Sequence, residues 1–313
     1  MSIEVADEVV RLVNSGLVTG VSFFGGEPMF NWPIVKYILE RTYLEDIWRK
    51  KQPFYFITTN GTLFTPAILD FLKKRRVFIN LSFDGTKKTQ DYWRGSSYDA
   101  VVKNLDLLVK HPWLQVLKTL ATPSTLYEDL KHIKDLGFRN VFMNLLDPFS
   151  HFTYEGCDED DFKLQYRRAI EELRSKDFRI NDYNRWARLI RDVHEGKKKQ
   201  GCGFTNQGLS VGPDGRMFPC HQAPLNDCFE IGTIWDGIDK EKERKVREVE
   251  NSPLCSKCVY KFNKCPHTMY TKYGHFGENA PVWNMKFELA KIRVIEEMEG
   301  LPHLPAACEE VIK

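Results

Sequence analysis

The chain has 313 residues, a formal net charge of +2, 42% apolar and 28% charged residues. That is enough to bury a real core and too evenly charged to suggest nucleic acid, and the basic runs Lys73–Arg76 and Lys197–Lys199 read as solvated helix ends or loops. No apolar run approaches the roughly 20 residues that cross a bilayer, and the N-terminus has no secretion-signal pattern, so no membrane partner and a cytoplasmic location are expected.

The first element is a helix over residues 3–14, with Val5, Val9, Leu12 and Val13 on one face and Gly16 as its stop. Val18–Phe24 then reads as a buried strand ending at Gly25-Gly26, and Pro33 starts a helix that runs to about Arg49. The rhythm repeats as strand Phe54–Thr59, helix Pro66–Lys74, strand Val77–Phe83, helix Tyr98–Lys110, strand Gln115–Ala121, helix Leu126–Leu136 and strand Val141–Leu146. Strands that are apolar throughout and alternate with helices predict a parallel α/β sheet or barrel buried on both faces. Two amphipathic helices follow, one through Phe162, Tyr166 and Ile170, the other through Tyr183, Trp186 and Ile190. From Cys202 onward helical periodicity gives way to dense glycine, proline and cysteine. Leu209–Val211 and Met217–Pro219 flank a turn at Pro213-Asp214-Gly215, and a last helix covers about Val282–Met298.

The eight cysteines are unevenly placed: none precedes Cys157, which reads as a bystander, and seven lie from Cys202 onward. In a reducing compartment such clustering favours metal or cluster ligands over disulfides. Cys202 and Cys220 are followed by Cys255-x2-Cys258-x6-Cys265, with Cys228 and Cys308 as weaker candidates. The spacing alone leaves an iron–sulfur cluster and a structural zinc open, and a loop-rich segment with so few apolar residues needs one or the other to hold it together.

The remaining polar signals sit where the strands end. In a parallel α/β barrel the loops after the strands share one face, and ligands bind there. Those loops carry Gly25-Gly26-Glu27-Pro28, Thr58-Thr59-Asn60-Gly61 and Ser82-Phe83-Asp84-Gly85, with Asp91-Tyr92-Trp93-Arg94 further on. Together they resemble the motifs of radical S-adenosylmethionine enzymes, in particular the peptide-modifying branch that includes anaerobic sulfatase-maturating enzymes. The cysteine pattern resembles the SPASM domain, whose thiolates hold auxiliary 4Fe-4S clusters.

The resemblance implies that Gly25, Gly26 and Glu27 face the amino end of S-adenosylmethionine, with Ser82 and Arg94 at its ribose or carboxylate. Asn60 is a weaker cofactor candidate, with turn formation as its alternative, and an ion pair with Asp91 or another acid is the alternative for Arg94. The resemblance also implies a peptide or protein substrate and an external electron donor. Three departures stand out. Met269 occupies the place of a further SPASM cysteine, leaving seven cysteines where two clusters need eight, with His267 and His275 as nearby candidates. His221 stands where sulfatase-maturating relatives carry an acidic base, and is a candidate catalytic residue or a hydrogen-bonding one. The family's Cys-x3-Cys-x2-Cys loop, which binds the cofactor's own 4Fe-4S cluster, is not found.

The expectation is therefore a partial (β/α)6, TIM-like barrel without its first strand over residues 1–198. A SPASM-like domain over 199–281 and a C-terminal helix and tail over 282–313 complete it. The chain is read as an enzyme or a piece of one, inactive alone unless the cluster loop is supplied. The alternatives are a split protein or a non-catalytic, peptide-binding remnant with a structural iron–sulfur or zinc site.

Overall fold

The computed structural model describes residues 1–42, 53–120, 123–145, 158–197, 208–221, 223–225, 227–247 and 283–303. Six strands form one parallel sheet in sequential order: β1 (Gly20–Phe23), β2 (Phe54–Thr59), β3 (Phe78–Ser82), β4 (Leu114–Leu120), β5 (Asn140–Leu145) and β6 (Arg179–Ile180). Sequential order with helical crossovers is what alternating strands and helices impose.

The chain divides into two compact units. One comprises Met1–Ser82, Ala100–Leu114 and Gly203–Val249, the other Phe83–Asp99, Gln115–Cys202 and Glu250–Lys313. The first unit contains α1 (Ile3–Asn14), α2 (Trp32–Thr42), α3 (Pro66–Lys74) and α6 (Leu105–Leu108). Ser2 accepts from the Val5 amide to cap α1, and Thr65 accepts from Ile68 to cap α3, whose first residue is Pro66. Ile38, Leu39, Ile57, Leu72, Ile79 and Leu81 lie in its core. Four short antiparallel strands complete this unit in the order β10–β9–β8–β7: β7 (Ser210–Val211), β8 (Arg216–Phe218), β9 (Gly232–Thr233) and β10 (Gly237–Ile238). The charged helix α10 (Lys240–Arg247) buries no residue.

The second unit holds α4 (Lys87–Arg94), α7 (Leu126–Asp135), α8 (Glu159–Arg168), α9 (Asn181–His194) and α11 (Trp283–Met298). Asp158 caps α8 through the amides of Asp160 and Asp161, and the helix continues into a π-helical turn at Ala169–Leu173. Phe287 of α11 meets Phe162 of α8 edge-on at 5.3 Å, and Tyr183 of α9 donates to Glu299 just beyond α11 at 2.6 Å. Lys291 through Glu296 are all buried, so this stretch of α11 is enclosed on every side.

The structure departs from expectation in three places. The helix expected over 98–110 is two short ones, α5 (Tyr98–Val102) and α6, because Asn104 leaves helical geometry and donates its side chain to the Phe64 carbonyl at 3.1 Å. The sheet is not buried on both faces. Tyr55, Ile57 and Thr59 of β2 and Ile79 and Leu81 of β3 are buried, but Phe54 is exposed, the other alternates are half-buried, and no residue of β1 is buried. Phe56 stacks on Phe78 at 5.2 Å along that half-buried face. Five elements, α4, β6, β9, β10 and α10, were not expected at all. The helix expected to reach Arg49 is described as far as Thr42. Among the described residues, no helix is long and apolar enough to cross a membrane.

Candidate functional site

The loop after β1 is built around the Glu27 carboxylate. One oxygen accepts from the Met29 amide at 3.0 Å and the Thr59 hydroxyl at 2.8 Å, and the other accepts from the Asn60 amide at 2.7 Å. A carboxylate can accept about four hydrogen bonds, so three of its sites are committed to tying the β1 loop to the end of β2. Glu27 thereby holds the loop from below, and Gly25 and Gly26 precede it with open space where a side chain would stand. Exposed peptide groups with no side chain over them suit close approach by a ligand. Asn60 closes its own turn: its side-chain oxygen accepts from the amide and hydroxyl of Thr62 at 3.0 and 2.8 Å. Ser82 ends β3 on the half-buried face shared with Phe78 and Asn80.

In the second unit the Arg94 guanidinium, at the end of α4, is held in a fork. Its Nε donates to Asp84 at 2.6 Å, and one Nη donates to Asp84 at 3.3 Å and to the Thr119 hydroxyl at 3.0 Å. The other Nη carries no hydrogen bond among the described residues, and the side chain keeps 27% of its surface exposed. Asp91 does not pair with Arg94. It accepts from the Tyr98 amide at 2.9 Å and pairs with Lys87 at 3.0 Å, and these contacts, the amide first, hold its carboxyl below the usual range.

Asp84 is itself fixed. Its amide donates to Gln90 at 2.7 Å, and its carboxylate also accepts from the Thr119 amide at 2.7 Å. Its carbonyl accepts from Lys118 at 2.6 Å, and Lys118 pairs with Asp129 at 2.9 Å. Sequence reading missed this pair. Lys118 falls among apolar strand residues, and its partner lies on the next helix, so no local spacing signals the contact.

Of the candidate ligands, Cys220 and Cys228 are described and form no disulfide; Cys220 lies two residues after β8 and Cys228 is exposed. Cys202, Cys255, Cys258, Cys265 and Cys308 lie outside the described residues, as do Cys157, His267, Met269 and His275. Among the described residues, no group of three or more histidine, cysteine or acidic side chains stands ready to hold a metal. His221 packs its ring edge-on against Phe24, centroids 4.4 Å apart, beside the Gly25-Gly26 turn. Desolvation by the surrounding protein pushes its pKa below the usual histidine value, although the residue keeps an exposed edge.

Residues 1–117 match the model of the radical SAM superfamily. A radical SAM cyclopropyl synthase, TigE, from Paramaledivibacter caminithermalis is 33% identical over 108 residues, covering 34% of this chain and 22% of the relative. A cysteine-type anaerobic sulfatase-maturating enzyme from Clostridium novyi is 25% identical over 219 residues, covering 64% of this chain and 55% of the relative. The chain thus spans 22% and 55% of the length of these curated relatives. Among solved structures, native anSMEcpe with bound AdoMet is similar at a TM-score of 0.69 and 18% identity, over 95% of this chain and 87% of that one. Streptococcus suis SuiB is similar at a TM-score of 0.65 and 14% identity, over 88% of this chain and 70% of that one. At such identities the likeness is one of fold, and it matches the partial TIM-like barrel expected from the strand–helix rhythm.

Proposed function

We propose, for a chain whose residues 1–117 match the radical SAM superfamily model, that it binds S-adenosylmethionine and carries auxiliary 4Fe-4S ligands in an enzyme that modifies a peptide or protein side chain. The observation that carries this reading is the Glu27 anchor, which spends its carboxylate on backbone and hydroxyl donors and leaves two bare glycine peptides open beside it.

With the cluster loop supplied, S-adenosylmethionine bound here would furnish, on reduction by an external donor through a 4Fe-4S cluster, a 5′-deoxyadenosyl radical for hydrogen abstraction. The protein's part is to bind, orient and exclude water. The reading assigns the Gly25-Gly26-Glu27 loop to the methionine amino group. It assigns Ser82 and the open Nη of Arg94 to the ribose or carboxylate, where a guanidinium makes its strongest contacts. Asn60 serves the same end by shaping its loop. Cys202, Cys220, Cys255, Cys258 and Cys265 are assigned to auxiliary iron–sulfur binding within 199–281, with Cys228 and Cys308 as further candidates. Thiolates suit such clusters, each of which needs four ligands. The peptide partner is supported by the likeness to SuiB, solved bound to the precursor peptide SuiA, and to anSMEcpe, solved bound to AdoMet and the Kp18Cys peptide.

The test is metal and sulfide analysis of anaerobically purified protein, paired with equilibrium dialysis against radiolabelled S-adenosylmethionine. Iron with matching acid-labile sulfide, diminished in Cys255→Ala and Cys258→Ala, together with saturable binding of the sulfonium, is the expected result. Stoichiometric zinc without sulfide, or no saturable binding, overturns the reading.

A further inference from the structure

We infer that Lys118 and Asp129 are positioning residues for the cofactor: buried beneath the Asp84-Gly85 turn, they set the aspartate that aims Arg94. The inference rests on the assignment of Arg94 to the cofactor made above. Lys118 is 1% exposed and Asp129 is fully buried. Burying an ion pair is a poor way to stabilise a fold, since apolar residues of the same volume serve as well or better. The pair's value therefore lies in what it holds.

It holds one turn of backbone from two sides. Lys118 donates to the Asp84 carbonyl, while Asp129 accepts from both the amide and the hydroxyl of Thr86, at 3.0 and 3.1 Å. The other Asp129 oxygen, which pairs with Lys118, also takes the Thr125 hydroxyl at 2.9 Å. Between the two anchored residues sits Gly85, at a φ of +126° and so close to Asp129 that a Cβ would run into its carboxylate. The backbone of residues 84–86 is thus clamped by opposite charges at a carbonyl and an amide. From that clamped backbone the Asp84 carboxylate reaches Arg94 through two of its nitrogens. Thr86 also caps α4, the helix that ends in Arg94. Both routes to the guanidinium, through the Asp84 side chain and through the α4 cap, start from the same ion pair.

The experiment follows Arg94 by its reaction with phenylglyoxal, quantified by peptide mass spectrometry on the full chain, with and without S-adenosylmethionine. Lys118→Met is expected to speed modification of Arg94 about tenfold, the scale of one lost charge-assisted contact. The exposed Arg11 and Arg244 should keep their wild-type rates. Val116→Ala, on the same face of β4, loosens the core without touching the clamp and should leave Arg94 at its wild-type rate. Should Lys118→Met fail to fold, Thr86→Val removes one clamp hydroxyl from a folded protein and is expected to raise the rate in the same direction. An unchanged Arg94 rate in the folded clamp variants overturns the inference, as does a rise matched by Arg11 and Arg244 or by Val116→Ala. Protection of Arg94 by S-adenosylmethionine in the wild type is a separate arm: its absence sinks the cofactor assignment on which the proposal depends, whatever the clamp variants do.

Discussion

At the scale of single residues, the acid at position 27 acts first as a builder. Three donors converge on its carboxylate, two of them backbone amides. Glu27→Gln keeps the shape but replaces one acceptor oxygen with an amide nitrogen, which faces another donor, and removes the charge from all three contacts. The expected cost is about 2 kcal/mol of unfolding free energy, read as a lowered urea midpoint at unchanged slope. A wild-type midpoint would show that the loop holds without the anchor. Glu27 was legible as a site residue from its place in a motif after a strand, but its bonding to Thr59 and Asn60 was not, because those partners lie more than thirty positions away. Lys118 was less legible still. Between Leu117 and Thr119 it reads as one polar residue in a strand, and only the fold shows that its ammonium is walled in with Asp129.

At the scale of elements, legibility followed the apolar stripe. Helices and strands with apolar residues at the right period emerged within a residue or two of their positions, as Ile3–Asn14, Pro66–Lys74 and Phe54–Thr59 show. The helix α4 escaped because its sequence KKTQDYWR has no such stripe, and only Thr89 and Gln90 are buried. It is held by its ends instead. Thr86 accepts from the Thr89 amide at 3.4 Å, and Gly95 closes the helix at a φ of +62° with its amide returning to the Asp91 carbonyl. Nothing crowds the Gly95 Cα, so Gly95→Ala meets only the cost of a left-handed conformation, about 1 kcal/mol. That variant should lower the melting temperature by a few degrees and leave the oligomeric state and iron content as they are; a melting temperature equal to the wild type's would mean that α4 does not depend on this cap. The two-residue strand β6 escaped for a different reason, since two residues carry no period at all.

At the scale of the whole molecule, one contribution to stability against acid comes from a residue outside the candidate site. His111, between α6 and β4, is 6% exposed, and neither ring nitrogen has a hydrogen-bond partner among the described residues. Its ring meets Trp113 edge-on at 6.2 Å. Desolvation, and after it the positive charge of Lys73, pushes its pKa down to about 4 from an ordinary 6.5. The folded protein therefore resists a proton that the unfolded chain accepts. Well above pH 6.5 both states carry a neutral ring and the contribution vanishes. As pH falls from 6.5 toward 4 the unfolded state binds more protons, so stability declines across that window, by about 2 kcal/mol once partial solvent screening is allowed for. The measurement is the urea midpoint between pH 7 and pH 4 for the wild type and for His111→Leu. The variant removes both the titration and two unpartnered buried nitrogens, so it should equal or exceed wild-type stability at pH 7 and lose less on acidification. Parallel pH profiles for the two proteins would show that the ring takes up its proton in the folded state as readily as in the unfolded one.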